Sequence, residues 1–186
     1  MKVSELTLGE PVAGLRQTSL TIGARFGGSM PRILIVCTGN VCRSPMAQAL
    51  LKRRLEQEGL GDWVVESAGT WALTGAPASR YALQLMAERG LDLADHRARE
   101  LNGSMLEQAD LVLVMTANHS EALRQEFPGQ AEKVHMLSQM KDGQRIDVED
   151  PYGGSLEKYQ TCADTLTDLI EVGFDRIRSL AMRDAQ

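Results

Sequence analysis

The sequence predicts an α/β fold: a single domain in which a four-stranded parallel sheet carries helices on both faces, in a Rossmann-like arrangement. From residue 32 onward, short apolar runs alternate with amphipathic segments of helical period. Strands that alternate with helices form parallel sheets through right-handed crossovers. The chain has 186 residues, of which 43% are hydrophobic, and this is enough for one buried core.

The first half of the chain contains two strand–helix pairs. Residues 32–36 form an aliphatic run typical of a buried parallel strand, and residues 45–57 place apolar side chains along one helical stripe. A second strand is predicted at residues 63–67 and a second helix at residues 79–88. A glycine follows each helix and favours its termination there.

The second half continues the alternation and ends in a long amphipathic helix. In sheets of this kind, ligands bind beyond the carboxyl ends of the strands, where the helices begin. The predicted elements are a helix at Gly103–Gln108, a strand at residues 110–115, a helix at residues 118–126, a strand at residues 133–136, a polar loop at residues 139–154 and a helix at residues 156–180.

Residues 1–30 differ from the remainder and are predicted to be an N-terminal extension of a domain that spans residues 31–186. They contain five glycines and show no sustained strand or helix period. They also lack the basic start and compact apolar block of a secretory signal. Three interpretations stay open: Met30 is the true start, the segment is a mobile extension, or it adds an ordered edge to the domain.

The net charge, the cysteine content and the hydropathy of the chain indicate which partners and which compartment to expect. The net charge is −5, from 25 acidic and 20 basic residues, which argues against nucleic acid. Three cysteines without a secretory signal favour a reducing compartment, so a cytoplasmic protein is expected. No apolar run approaches the roughly 18 residues of a membrane span, so no membrane association is expected. A monomer is the expected oligomeric state.

The segment from Cys37 to Ser44 reads CTGNVCRS and joins the first strand to the first helix. A helix N-terminus offers unpaired N–H groups and a partial positive charge, which stabilise a thiolate and bind a tetrahedral oxyanion. Gly39 allows the backbone to turn inward without a Cβ penalty, and Arg43 offers a planar fork for two phosphate oxygens. Ser44 is placed to hydrogen-bond the Cys37 sulfur. The segment therefore combines a nucleophile with an anion-binding loop.

A thiolate that attacks a bound phosphoryl group needs an acid to protonate the leaving oxygen. The late polar loop offers four carboxylates, Asp142, Asp147, Glu149 and Asp150. Asp150 stands out because a stiff proline follows it and two glycines then allow a tight approach to the last helix. A surface turn remains an equal interpretation of this loop. An ordinary buried thiol in a strand-to-helix turn remains the alternative for Cys37.

These residues resemble the low-molecular-weight protein tyrosine phosphatase family over about five-sixths of the chain, from residue 31 to the last helix. Residues 1–30 have no counterpart in the family. The resemblance rests on several separate motifs: VCTGNVCRSPMA at residues 36–47, SAGT at residues 67–70, HRAR at residues 96–99, ADLVLVM at residues 109–115 and DPYGGS at residues 150–155.

The resemblance implies a role for each matched residue. It implies that Cys37 is the nucleophile of a phosphocysteine intermediate and that Arg43 binds the phosphoryl oxygens. Asp150 is implied to act first as general acid and then as the base that activates water. Ser44 is implied to stabilise the leaving thiolate. The family's chemistry implies no metal and no cofactor.

Other matched residues are implied to support the loop or to bind substrate. Asn40, Ser67 and His96 are implied to form a buried hydrogen-bond network, and Trp71 and Tyr152 to stack on the substrate ring. From the residues alone, His96 and Ser67 are structural and Trp71 is equally well plain packing. The expected substrate-binding set is Thr38, Gly39, Asn40, Val41, Cys42, Ser44, Trp71 and Tyr152.

The spacing of Cys37 and Cys42, and a similar pair in the family, suggest a disulfide that traps the oxidised nucleophile reversibly. Cys162 lies on the last predicted helix and is expected to be a core residue. The expected partners are a phosphorylated protein as substrate and phosphate or another oxyanion in the loop.

Phosphotyrosine is the expected phosphorylated residue. One bacterial branch of the family instead removes phosphate from arginine, and the chain resembles that branch in DPYGGS and in MAQALLKR after the loop. That branch carries Thr where this chain has Val41, and an apolar wall suits an aromatic ring better than a planar guanidinium. Tyrosine is therefore favoured, with a protein arginine phosphatase as the alternative.

Two further alternatives are less expected. Thiol-dependent arsenate reductases share the fold but need additional cysteines, and residues 45–161 contain none. A non-catalytic phospho-carrier or phosphate-binding module needs neither Arg43 nor a mobile acid such as Asp150.

Overall fold

The structure is a computed structural model that describes residues 30–183, so the predicted extension lies outside the described residues apart from Met30. No described helix is both long and apolar enough to cross a membrane. Within the described residues, one 3-10 helix is present, at Pro128–Lys133. In chain order the elements are β1 (Arg32–Cys37), α1 (Arg43–Gln57), β2 (Val64–Gly69), α2 (Arg80–Glu88), α3 (Gly103–Gln108), β3 (Leu111–Val114), α4 (Ala117–Glu126), β4 (Val134–Met136), α5 (Gln139–Asp142) and α6 (Leu156–Arg183).

The predicted α/β fold with four parallel strands is confirmed. The strands stand in the order β2-β1-β3-β4, and Ile35 in β1 pairs with Ser67 on one side and Leu113 on the other. After β2 the chain therefore crosses to the opposite side of β1. Ligands of open α/β sheets bind beyond the carboxyl ends of the strands at such a reversal. Cys37 is the last residue of β1 and lies at this point.

Alternate residues of β1 supply two separate cores, as the period of two in a strand requires. Ile33 and Ile35 join a cluster that includes buried side chains of α1, α2 and α6. Leu34 and Val36 join a second cluster with side chains of α3 and α4. Helices therefore cover both faces of the sheet, and β1 is buried between them.

One part of the predicted polar loop is wrong, because α5 is a helical turn within residues 139–154. Met140 in this turn is buried and packs on Gly173 of α6, where a Cβ would lie 2.6 Å from Met140 Cβ. This packing against a helix distant in sequence stabilises a turn that local propensity does not reveal. The 3-10 helix was also not predicted. Other predicted ends differ from the structure by three residues or fewer.

The turn after β2 packs directly on the loop that follows β1. Thr70 N donates to Cys37 O (2.9 Å), and Trp71 N donates to Thr38 O (3.0 Å). A Cβ on Gly69 would lie 2.3 Å from Thr38 O, so any larger residue would displace this backbone. Gly69 therefore permits the close approach that holds the start of the loop against β2.

We expect Gly69→Ala to destabilise the protein by about 1–3 kcal/mol, because the added methyl group displaces the Thr38 carbonyl. Urea unfolding should show a lower midpoint with an unchanged slope. Gly61→Ala is the matched control, since the nearest atom to a Cβ there is Glu56 Cγ at 3.5 Å. Equal midpoints for the two variants would contradict the prediction.

Candidate active site

Residues 37–43 form a loop that starts at the end of β1 and leads into α1. Asn40 has φ 54° and is the only non-glycine residue with a positive φ among residues 30–183. The unusual backbone conformation expected at Gly39 is therefore at Asn40 instead, and Gly39 has no positive φ. Asparagine tolerates the left-handed region because its short amide can hydrogen-bond nearby groups.

Four hydrogen bonds hold Asn40 in place. Its Nδ2 donates to Ser44 Oγ (2.9 Å) and Ser67 Oγ (3.0 Å), and its Oδ1 accepts from Arg99 N (2.9 Å). Its carbonyl oxygen accepts from His96 Nε2 (2.7 Å). Burial lowers the pKa of His96, which favours the neutral ring, and the Asn40 carbonyl acceptor requires the proton to be on Nε2. The contacts predicted for Asn40, Ser67 and His96 are thus present.

The Cys37 sulfur is buried, with 2% of the residue exposed, and lies 3.0 Å from Ser44 Oγ. Because Ser44 Oγ already accepts from Asn40 Nδ2, its own hydrogen is free to point at sulfur. A hydroxyl that donates to sulfur stabilises the thiolate form. The N-terminus of α1 follows the loop and adds a partial positive charge.

Arg43 begins α1, and only 4% of it is exposed. Its Nη2 contacts the carboxylate of Asp150 and donates to Thr38 Oγ1 (3.3 Å). Its Nη1 donates to Val148 O (3.2 Å). Its Nε is buried and has no partner within the described part of the chain. The guanidinium therefore has one ionic partner and one unpaired buried donor.

The loop before α6 brings Asp150 to this pocket because it is anchored beyond the end of β3. Val148 N donates to Met115 O (2.9 Å), and Asp147 Oδ1 accepts from the first N–H of α4 (2.8 Å). Asp150 Oδ1 accepts from Tyr152 N (3.2 Å), which shapes the turn that follows. The Asp150 side chain remains 44% exposed. Of the four candidate carboxylates, Asp150 is the one that lines the pocket.

A pocket of about 190 Å³ opens at Cys37. Trp71 and Tyr152 stand at it with 79% and 63% of their surfaces exposed. Leu73, which was not among the predicted residues, lines the pocket because its N–H donates to Gly39 O (3.1 Å). Asn40 and Ser44 were predicted to bind substrate but are not among the lining residues, which are Cys37, Thr38, Gly39, Val41, Cys42, Arg43, Trp71, Leu73, Asp150 and Tyr152.

A larger cavity of about 680 Å³ lies along the β2 edge, between α1 and residues 95–99. It is lined by Ser67 and His96, which belong to the network around Asn40, but not by Cys37. The larger cavity is therefore lined by residues that hold the loop in place. The reactive groups Cys37, Arg43 and Asp150 line the smaller pocket.

The other two cysteines are buried and neutral. Cys42 Sγ lies 3.3 Å from Ser79 Oγ and 3.1 Å from the Tyr159 hydroxyl oxygen, and burial raises the pKa of its thiol. Cys162 is a core residue, as predicted, and burial raises its pKa to about 12. Cys37, Cys42 and Cys162 are all free thiols in the structure.

His119, in the first turn of α4, is the main site residue that was not predicted. Its Nε2 lies 3.0 Å from Thr38 Oγ1, the oxygen that also accepts from Arg43 Nη2. Burial, and then the charge of Arg43, lower the pKa of His119 to about 4. One signal was available in the sequence: His119 closely follows β3, whose carboxyl end lies at the same sheet edge as that of β1.

Within residues 30–183, no group of three or more His, Cys, Asp or Glu side chains is arranged to hold a metal ion.

The profile of the family described as low molecular weight phosphotyrosine protein phosphatase matches residues 32–179. A Ralstonia nicotianae protein named probable low molecular weight protein-tyrosine-phosphatase EpsP is 38% identical over 80% of this chain and 97% of its own length.

Two further proteins show the range of the similarity. A Geobacillus stearothermophilus protein named protein-arginine-phosphatase is 41% identical over 75% of this chain and 91% of its own length. The crystal structure of a low molecular weight protein tyrosine phosphatase from T. tengcongensis has a TM-score of 0.73 and 42% identity. That similarity covers 80% of this chain and 99% of the other.

We expect His119 to make the folded state less stable in acid. Its pKa of about 4 lies below the unfolded value of 6.5, so the unfolded state binds a proton that the folded state excludes between these values. This contribution to the free energy of unfolding is fully present above the unfolded pKa. It falls by about 3 kcal/mol as the pH decreases through the folded pKa.

Urea unfolding of the wild type and of His119→Gln, at about pH 4.5 and about pH 7, measures this contribution. Glutamine gains no charge, so the variant should lose less stability between the two pH values. Part of the change in stability with pH should remain in the variant, because burial also lowers the pKa of His96. Equal losses in the two proteins would show that His119 does not contribute.

Proposed function

The chain belongs to the low-molecular-weight protein tyrosine phosphatase family, and we propose that it hydrolyses phosphotyrosine in proteins through a phosphocysteine intermediate. The observation that carries this proposal is the convergence of the Cys37 thiol, the Arg43 guanidinium and the Asp150 carboxyl group in one pocket. These groups supply a nucleophile, an anion-binding fork and an acid. They lie where the sheet topology favours a ligand.

In the first step the phosphoryl group occupies the loop, where backbone N–H groups and Arg43 compensate its charge. The Cys37 thiolate attacks phosphorus in line, so the S–P bond forms as the P–O bond to the phenol breaks. Once it has left Arg43, the Asp150 carboxylate takes up a proton from solvent and gives that proton to the leaving oxygen. Because Arg43 contacts Asp150 in the resting structure, the incoming phosphoryl group must take over the guanidinium and release the carboxyl group.

In the second step Asp150, now a carboxylate, takes a proton from a water molecule whose oxygen attacks phosphorus. The S–P bond breaks, inorganic phosphate leaves and the Cys37 thiolate is restored. Ser44 lies 3.0 Å from the Cys37 sulfur and donates to it as negative charge returns. Asn40 directs the Ser44 hydrogen toward sulfur by donating to its oxygen.

The walls of the pocket favour a tyrosine ring. Val41 and Leu73 present aliphatic side chains, and Trp71 and Tyr152 present aromatic faces at the opening. An aromatic ring between these side chains gains apolar contact and offset stacking, which a flexible, hydrated side chain gains less. The substrate we propose is therefore a protein phosphorylated on tyrosine.

Phosphoarginine is the second candidate, because relatives named protein-arginine-phosphatase are similar over most of their length. The DPYGGS segment, which contains Asp150, supports the same alternative. Val41 argues against it: the residue is 4% exposed, lines the pocket and offers no hydroxyl to orient a water beside a planar guanidinium.

We extend the proposal to the cellular setting and to redox control. The catalytic domain is proposed to span residues 31–186, as a cytoplasmic monomer in which a reducing environment keeps Cys37 in the reduced form. Peroxide would convert Cys37 to a sulfenic acid, and the Cys42 thiol would condense with it, forming a disulfide and releasing water. This protection requires that thiols reverse the inactivation by peroxide.

Two variants test the mechanism. Cys37→Ser should abolish turnover of phosphotyrosine peptides. Asp150→Asn should lower kcat on those peptides by about 10²–10⁴, with a smaller loss on 4-nitrophenyl phosphate, whose leaving group needs little protonation. Activity that survives in Cys37→Ser would exclude the phosphocysteine intermediate. A wild type that binds phosphate without turnover would indicate a binding module.

The residue preference is tested with matched phosphotyrosine and phosphoarginine peptides. The wild type should show the higher kcat/KM on phosphotyrosine, and Val41→Thr should move the ratio toward phosphoarginine by about 10-fold or more. Val41→Ile is the control, because it keeps an apolar wall and should keep the preference. A wild-type preference for phosphoarginine would contradict the proposed substrate and leave the mechanism standing.

A further inference from the structure

We propose that His119 is a positioning residue for Arg43: its imidazole accepts a hydrogen bond from the Thr38 hydroxyl and so turns the Thr38 oxygen toward the guanidinium. The inference rests on the proposed function, in which Arg43 binds the phosphoryl group. It adds a contact between α4 and the loop that follows β1, and α4 lies outside the sequence motifs that define the pocket.

The geometry links three side chains in a row. His119 Nε2 lies 3.0 Å from Thr38 Oγ1, and Arg43 Nη2 donates to that same oxygen over 3.3 Å. His119 is 9% exposed and Arg43 is 4% exposed, whereas Thr38, which joins them, is exposed at the pocket. Thr38 directly follows the nucleophile in the chain and lines the pocket.

The direction of the hydrogen bonds follows from counting unpaired groups. Suppose that His119 carried its proton on Nε2. The Thr38 oxygen would then accept from both His119 and Arg43, its own hydrogen would have no acceptor among the described residues, and Nδ1 would also be unpaired. With the proton on Nδ1, Thr38 donates to Nε2, so the Thr38 hydroxyl both donates and accepts within the protein; the buried Nδ1 is unpaired in either tautomer. We therefore assign the Nδ1–H tautomer to His119.

This tautomer matters because Asp150 is not a permanent partner of Arg43. The Asp150 side chain is 44% exposed and must leave the guanidinium to act as an acid. Of the protein acceptors that contact Arg43, Val148 O and Thr38 Oγ1 then remain. Two acceptors on different nitrogens fix the plane of the guanidinium, whereas one would leave it free to pivot. Orientation in advance of binding is what makes such a group effective in a transition state.

A purely structural role explains His119 less well. The backbone N–H of His119 donates to Thr116 Oγ1 (3.2 Å) and takes part in the cap of α4, but the imidazole is not needed for this. An unpaired buried Nδ1–H is costly, and an apolar side chain of similar size would avoid that cost. The ring stays neutral because burial and Arg43 disfavour the imidazolium, while Asp150 and Asp147 oppose them less strongly. A neutral ring is required, because protonation would remove the acceptor.

The test compares His119→Met with His119→Gln, which match in length and differ in whether they offer an acceptor. With 4-nitrophenyl phosphate as substrate, we expect His119→Met to lower kcat/KM by about 10- to 100-fold. His119→Gln should recover most of the loss. Thr38→Val should resemble His119→Met, and the double variant should lose no more than either single variant, because all three break the same chain of contacts. Equal activities for Met and Gln, or additive losses, would overturn the inference.

Ser120→Ala is the matched control for packing of α4. Ser120 is buried in the same turn, and its hydroxyl accepts from Arg124 Nε (3.3 Å) rather than contacting the loop. The variant should change the unfolding midpoint without changing kcat/KM. A loss of activity equal to that of His119→Met would assign the effect to helix packing and not to the imidazole.

Binding of inorganic phosphate to Cys37→Ser protein separates this inference from the proposed function, since it requires no turnover. Adding His119→Met to Cys37→Ser should weaken phosphate binding, and adding His119→Gln should restore it. A wild type without phosphatase activity, together with this binding pattern, would overturn the proposed function but retain the positioning role. An active wild type whose phosphate affinity is insensitive to both substitutions would do the reverse.

Discussion

The hydrogen bonds of Asn40 are the constraint on which the site depends. A non-glycine residue in the left-handed region costs about 1–3 kcal/mol, and it persists only where surrounding contacts offset that cost. Here the contacts come from α1, from β2 and from residues 96–99. They hold the loop in a shape in which a buried thiol lies beside the helix N-terminus. They also hold the Ser44 hydroxyl, whose oxygen lies 3.0 Å from the Cys37 sulfur.

The ion pair of Arg43 and Asp150 compensates the buried arginine charge in the resting pocket. Removing an arginine charge from water is costly unless it is paired, and the partner here is a half-exposed carboxylate. A bound phosphoryl group carries more charge than this carboxylate and matches the guanidinium fork better. It can therefore replace Asp150 without leaving Arg43 unpaired, and the displaced carboxyl group becomes available to the leaving oxygen. In the proposed mechanism, the two side chains that pair in the resting site also share the chemistry of the occupied one.

Sequence patterns predicted those parts of the candidate site that are contiguous in the chain. Cys37, Arg43 and Ser44 fall within eight residues, so their proximity at the N-terminus of α1 could be predicted from their spacing. The position of Leu73 could not be predicted, because it depends on how distant segments meet at one sheet edge, and for His119 the one available signal was its place shortly after β3. The left-handed residue was expected at a glycine, since the hydrogen bonds that let Asn40 take that role come from other segments. The α5 turn was missed for the same reason, because its stability comes from packing on α6.

The strand order divides the support of the site into two sides. Groups from the β2 side, including Ser67 and the backbone after Gly69, contact the loop itself. Groups from the β3 side, namely His119 and Val148, act on the side chains Thr38 and Arg43. β1 lies between the two sides and ends at Cys37. Contacts from the first side therefore hold the shape of the loop, and contacts from the second side hold Thr38 and Arg43. In the proposed mechanism this separation allows a substrate to replace Asp150 at Arg43 while the loop around Cys37 keeps its shape.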